Sequence, residues 1–501
     1  MSASEESDAA LLLRLEPSAL RLSTLVKVDL RHQALSKLPL ALALCGDSLE
    51  HLDVGGNPLR SLDGIEKLAK LRILFATGCE LGCDGGLPKN GPLSKVSSLF
   101  MLSLKENGLK ALDGECLPEN LGWLICAQNE IASVHAPSRL SHVRKLMLSH
   151  NRLDESAASA LISAIPELEM LRLACNRLED VPKAALSHPR LAWLAIGGNP
   201  YADRQVSAAL DAVAAAAATA AATTAAATTA DATKASAVQY LPDASQVTIS
   251  EVELGRGSGA VVKRGMWQGA HVACKLWTAE QFSDGDARGE WVMGRLTGSC
   301  PHLVRTLAAW EHPSLGMAVE LLEGASAVGG PPNFGSVTRD TFAEGRHDRL
   351  SARQAHHIAL RVARAGAWLH ERGLMHGDIY LHNTLRVAAA AKDGSKPNGK
   401  RRRDGCAGAD AAGEAGEDVG DVVRLSDLGA ACAYDRASHP MLERLELRSF
   451  GWLVLDLLTW IAEGTDGAGE QLLSRMRRLA NECTGEMTNG LTFARAVEQL
   501  G

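Results

Sequence analysis

The sequence predicts a multidomain α/β chain in which a repeat solenoid is followed by a separate α+β unit. Three observations predict it. Apolar residues and asparagines recur with a period in the twenties through the first two hundred positions, a stretch of almost pure alanine and threonine follows from 208 to 237, and beyond it strand-type alternation gives way to helical spacing.

In the repeats, two apolar residues flank a short strand and an asparagine stands where the chain leaves it. Leu49, Leu52, Val54 and Asn57 form one copy, Leu99, Leu102, Leu104 and Asn107 another, and Leu168, Leu171, Leu173 and Asn176 a third. Positions 33, 57, 79, 107, 129, 151, 176 and 199 hold Asn or a stand-in (Gln33, Cys79) at intervals of 22 to 28 residues, giving about eight repeats of leucine-rich type over residues 25–207. No single copy can bury its own leucines, so the copies must stack, and each asparagine then bonds the backbone of its neighbour. An amphipathic helical domain would show neither the long period nor asparagine in register. The outward strand positions (His51 and Asp53; Met101 and Ser103; Lys145 and Met147; Met170 and Arg172) share no chemistry that names a ligand, although such a face is expected to bind protein.

Residues 1–24 read as an acidic cap or tail, and 208–243 as an Ala/Thr-rich linker. Alanine favours helix and threonine weakens it, while no apolar stripe is available to dock either form. With 52 basic and 59 acidic side chains the net charge is −7, which gives no global attraction for nucleic acid or an anionic membrane. The 11 cysteines are odd in number and scattered, which fits reduced thiols and a cytoplasmic, soluble chain. No leader-like start and no apolar run long enough to span a membrane is apparent.

From 244 to 501 a series of polar residues appears in order. Leu254, Gly255, Gly257, Gly259 and Val262 make a glycine-rich hairpin, and Lys275 sits in the alternating strand Val272-Ala273-Cys274-Lys275-Leu276. Glu290 opens a helix, with Glu280 and Asp284 as competing acids, and Glu320 and Leu322 follow on a strand and its exit. A capping box at Ser351–Gln354 starts a helix that leads to His376-Gly377-Asp378, then Asn383 and Leu385. Residues 387–421 are rich in Ala, Gly and charge and are expected to be a disordered insertion; their Lys400-Arg401-Arg402-Arg403 run is a solvated cluster or, as the weaker alternative, a nuclear-import signal. Asp427-Leu428-Gly429 and Glu446 complete the series.

Taken together these segments resemble the eukaryotic-type protein kinases, with G-x-G-x-x-G, V-A-I-K, H-R-D-x-x-x-x-N and D-F-G as the family strings. The resemblance covers about half the chain and implies a bilobal fold, ATP and Mg2+ as cofactors, and transfer of the γ-phosphoryl group to a protein hydroxyl, Ser/Thr ahead of Tyr. It assigns Lys275 to the phosphates, Glu290 to a lysine-holding ion pair, Asp378 to the attacking hydroxyl, and Asn383 and Asp427 to the metal. Leu254, Val262 and Ala273 would roof the adenine, Leu385 would floor it, and Glu320 and Leu322 would offer it backbone groups.

The departures are Ala260 for a glycine, Leu428 for Phe, Gly377 for the Arg of H-R-D, Tyr380 where Ser/Thr kinases usually carry a lysine, and no A-P-E string between Asp427 and Glu446. They leave open a pseudokinase scaffold and a small-molecule kinase of the aminoglycoside or choline type. In the protein-kinase reading the repeats would recruit a protein substrate or regulator in place of the missing docking platform. The oligomeric state is not readable.

Overall fold

The computed structural model describes residues 22–83, 86–224, 238–257, 259–298, 300–343, 349–389, 420–486 and 490–501. Most of the expected insertion (390–419, with its basic run) and residues 225–237 of the expected linker lie outside the described residues.

Eight three-residue strands, from Lys27–Asp29 to Trp193–Ala195, pair in parallel and in register to form the single sheet of a leucine-rich-repeat solenoid. The middle residue of each strand (Val28, Leu52, Leu74, Leu102, Leu124, Leu146, Leu171, Leu194) is fully buried in one continuous core, because only stacking removes these side chains from water. The asparagines form the expected ladder. Asn107 Oδ1 accepts from the N–H groups of Cys79 and Leu81 at 3.0 and 3.2 Å, and its Nδ2 donates to Ala76 O at 2.8 Å. Cys79, the stand-in, donates its thiol to Val54 O, keeping half of the pattern.

The second unit begins earlier than its composition implies. Gln239–Tyr240 pairs with Thr306–Trp310 and Leu241 is buried beneath it, so the last described residues of the expected linker belong to a six-stranded sheet. The sheet order is Gln239–Tyr240, Thr306–Trp310, Gly316–Glu320, Ala270–Trp277, Ala260–Trp267, Val247–Arg256, antiparallel except at its first pair. Helix Ala287–Thr297 packs on it, its first turn capped by Asp286, whose side chain accepts from Gly289 N. The rest is mainly helical: Ala352–Glu371, Met441–Thr459, Gly467–Thr484 and Phe493–Leu500 bury a shared core. The expected insertion is anchored at both ends. Asp421 bonds Arg386 Nε (2.7 Å) and Ala389 N (2.8 Å), and strands Thr384–Val387 and Val422–Leu425 pair beside it.

The boundary expected at 207/208 is crossed by a helix, Pro200–Thr224, since alanine carries the helix on where the composition suggested a spacer. Val206 packs against the core of the helical part, and Tyr201 Oη accepts from Asp435 N at 3.0 Å.

The two units share a core. Met375, Cys432, Tyr434, Leu442 and Leu445 of the second unit are continuous with the solenoid leucines. The sheet face of the later repeats is therefore covered: Met101, Ser103, Lys145, Met147, Met170, Arg172 and Trp193 are all buried. Further toward the N-terminus, Phe334 sits between His51 and Trp123, its ring 6.2 and 5.7 Å from theirs. Over the later repeats, the face expected to take an outside protein holds this chain's own second unit.

Candidate functional site

Leu254, Gly255, Gly257, Gly259, Val262, Ala273, Lys275, Glu290, Glu320, Leu322, Leu385 and Asp427 all line one cleft of about 640 Å³ between sheet and helices. This size is in the range of small-molecule sites. The cleft is apolar where Leu254, Val262, Ala273 and Leu385 meet and charged at the other end. An added Cβ at Gly255 would meet nothing within 4 Å, and one at Gly257 only Ala260 O at 3.9 Å, so the hairpin is open at these two glycines; at Gly259 a Cβ would come within 2.8 Å of the Phe282 ring.

Lys275 contacts the Glu290 carboxylate, and its Nζ lies 3.8 Å from Asp427 Oδ1. Burial acts to discharge the ammonium, but the charges of Glu290 and Asp427 outweigh it and hold the group protonated. Glu290 is fixed from its other oxygen by Trp277 Nε1 at 3.0 Å, a partner that sequence reasoning missed. Asp427 has φ +64°, a left-handed conformation that Asp tolerates, and it keeps half of its side chain exposed.

Glu320 and Leu322 differ in part from expectation. Glu320 donates its N–H to Arg305 O (2.9 Å) and its carboxylate takes Arg305 and Arg424, while the Leu322 carbonyl accepts from Ala325 N.

Asp378 and Asn383 are brought together but do not line the cleft with Asp427. Asn383 Nδ2 donates to Asp378 Oδ2 at 2.8 Å and to Asp378 O at 3.0 Å. The loop carrying them is joined to the cleft through Ser426, whose N–H and hydroxyl both donate to Asn383 O at 2.8 Å. Glu446 holds the same loop from below. Its carboxylate accepts from His376 N (3.1 Å), Gly377 N and His370 Nε2 (2.8 Å). Burial would raise the Glu446 carboxyl, but His370 and these donors outweigh it, so Glu446 acts as an ionised anchor. Asp340 caps the following turn through Leu381 N (2.8 Å) and His382 Nδ1 (2.8 Å).

The contact not foreseen comes from the solenoid. Arg172 donates Nη1 to Gly377 O at 2.9 Å, pairs with Asp378 Oδ1, and places Nε 2.8 Å from Asp284 Oδ1. Burial pushes the Asp378 carboxyl up, but the guanidinium outweighs this and holds it below the usual range. Asp284 is carried by the hairpin Gln281–Asp286, which the repeats grip through Ser149 Oγ to Ser283 O (2.7 Å) and His150 Nε2 to Gly285 O (2.8 Å). The only sequence signal for Arg172 was its outward place on a repeat strand.

The oxygen donors fit magnesium in kind. With Nδ2 of Asn383 spent on Asp378, its carbonyl oxygen is the atom left for a cation, and Asp427 offers an exposed carboxylate. Among the described residues no three His, Cys, Asp or Glu side chains gather to hold a metal by themselves, so a cation here would share its ligands with phosphate.

No family model matches the chain. It is similar to osteomodulin of Rattus norvegicus, 35% identical over 95 residues that make up 18% of this chain and 22% of the relative. Lumican of Rattus norvegicus is 32% identical over 94 residues (19% and 28%), and podocan-like protein 1 of Mus musculus is 31% identical over 170 residues (32% and 29%). The chain thus spans less than a third of the length of these curated relatives. The cytoplasmic location expected from the cysteines is overturned by this likeness: the relatives are extracellular-matrix proteins. Among the described helices, none is long and apolar enough to cross a membrane. The comparisons and the parallel sheet agree that the N-terminal part of this chain is a leucine-rich-repeat region.

Proposed function

We propose that residues 239–501 bind ATP with Mg2+ and transfer its γ-phosphoryl group to a hydroxyl, as a protein-kinase-like unit acting on a protein acceptor, Ser/Thr ahead of Tyr. The observation that carries the reading is the Lys275–Glu290 ion pair set beside Asp427 at the charged end of a cleft whose other end is apolar. The adenine would lie between Val262, Ala273 and Leu385, and Lys275 would neutralise the phosphates, held in place by Glu290 and Trp277. Asp378 would accept the hydroxyl proton; Mg2+, held by Asp427 and Asn383, would offset the charge on the phosphates.

A scaffold that binds nucleotide without transferring it is the second reading, and a specific observation favours it: the solenoid covers the loop that carries Asp378, where an acceptor would have to arrive. The two are separated by measuring binding of a fluorescent ATP analogue together with transfer from γ-labelled ATP, with Asp378→Asn as the control. Binding with transfer that Asp378→Asn abolishes supports phosphotransfer. Binding without transfer leaves the scaffold, and no binding sinks both.

A further inference from the structure

Asp378 is held by a charge that its own loop does not carry. The residue before it, Gly377, has φ +75°, and a Cβ there would come within 2.5 Å of Ala430 O and 3.1 Å of Leu194 O. The loop therefore presents bare backbone to the last repeat strand, and no side chain at 377 can reach around to the carboxylate. The cation comes instead from Arg172, whose side chain is 3% exposed: its Nη1 and Nη2 donate to Gly377 O and Asp378, while its Nε lies 2.8 Å from Asp284 Oδ1 as a charge contact without hydrogen-bond geometry.

An ionised carboxylate offers about four lone-pair sites. Arg172 takes one on Oδ1 and Asn383 one on Oδ2, so the group is fixed in rotation while acceptor sites remain, and the Asp378 side chain keeps 16% of its surface open. Two donors on opposite oxygens are what orient a base that must meet a hydroxyl at one angle. Deleting the guanidinium would leave Asp378 and Asp284 as like charges, with Lys145 of the solenoid face still attracted to both.

We propose that Arg172, delivered by the solenoid, is the positioning residue for Asp378, so that the phosphotransfer site is composite and the repeats are a working part of it. This rests on the phosphotransfer reading above. The rival account is that Arg172 serves only to glue the two units together or to hold Asp378 out of use.

The test uses the full chain and reads Mg2+-ATP hydrolysis and autophosphorylation. Arg172→Ala is expected to lower kcat by about 100-fold, the usual effect of misplacing a reacting group, with KM for ATP unchanged. Arg172→Lys, which keeps the charge without the planar fork and preserves the fold should the alanine variant lose it, is expected to recover part of the loss. Arg448 bonds His188 O and Leu191 O of the repeats at 3.0 and 2.7 Å and, among the described residues, makes no bond to the Asp378 loop, and so reports docking; Arg448→Ala is expected to retain turnover. Unchanged or raised turnover in Arg172→Ala, an Arg172→Lys variant no better than alanine, or an equal loss in Arg448→Ala would overturn the assignment. Wild-type protein that binds nucleotide and turns none over defeats the phosphotransfer reading itself, an outcome distinct from all of these.

Discussion

Trp193, on the last repeat strand, stacks flat on Tyr380 of the second unit, with ring centroids 4.8 Å apart and planes within 3° of each other. The indole also donates Nε1 to Ile379 O at 3.2 Å. Tyr380 is buried and its hydroxyl has no hydrogen-bond partner among the described residues, so the ring carries the contact and the oxygen is a cost.

Tyr380→Phe should leave the stack intact and hold or raise stability by up to about 1 kcal/mol, whereas Trp193→Ala should cost about 3–5 kcal/mol. Urea unfolding of both variants checks this. A Tyr380→Phe protein clearly weaker than wild type would mean the hydroxyl is bonded after all.

The asparagine ladder makes a second claim on stability. Asn107→Ala strands the N–H groups of Cys79 and Leu81 and should cost about 2–3 kcal/mol. Asn120→Ala, at an exposed position where Nδ2 bonds only Ser97 O, should stay within about 0.5 kcal/mol. Equal costs in thermal melts would refute the ladder as a source of stability.

Lys145 is a buried ammonium whose Nζ lies 4.1 Å from the ring centre of Trp123. Burial, helped by the charge of Arg172, pulls its pKa down to about 8, against the attraction of Asp378 and Asp284. Folding thus disfavours the charged form relative to the unfolded chain, although the amine stays mostly protonated at pH 7. The penalty is full below about pH 8 and fades as pH rises toward the unfolded value near 10.5. It amounts to roughly 3 kcal/mol before the cation–π contact is subtracted. Lys145→Met should therefore stabilise the protein by about 1–2 kcal/mol at pH 7 and by much less at pH 10. Denaturation midpoints at the two pH values decide it; a variant weaker than wild type at both would show the lysine to be an asset.

The repeats cannot be treated as detachable. Removing them exposes Met375, Cys432, Tyr434, Leu442 and Leu445 together, and a patch of that kind drives association. A chain beginning at residue 238 is expected to elute as oligomer or aggregate in gel filtration. A monodisperse, cooperatively unfolding fragment would contradict the shared core.

The order of Lys275, Glu290, Asp378, Asn383 and Asp427 along the chain was readable because each sits in a short local pattern, and the first two do meet. The cover over Asp378 was not readable. Arg172 and Trp193 occupy outward strand positions, which differ from copy to copy and carry no period of their own. Their partners lie about two hundred residues away, at separations of 206 for Arg172–Asp378 and 186 for Trp193–Ile379. Likewise the Ala/Thr stretch read as a spacer because it has no stripe, yet its helix begins inside the last repeat and is held there by Tyr201 and Val206.

By itself the sequence determined the repeat solenoid, since leucine burial and asparagine bonding recur every 22 to 28 residues and must be satisfied between neighbours. It also set out the order of the polar residues along the second unit. Only the tertiary structure decided that the solenoid's open face would be filled by that unit and that Arg172 would reach Asp378. Such a contact depends on the curvature of eight stacked strands and on a shared apolar core, quantities that no local stretch of sequence contains.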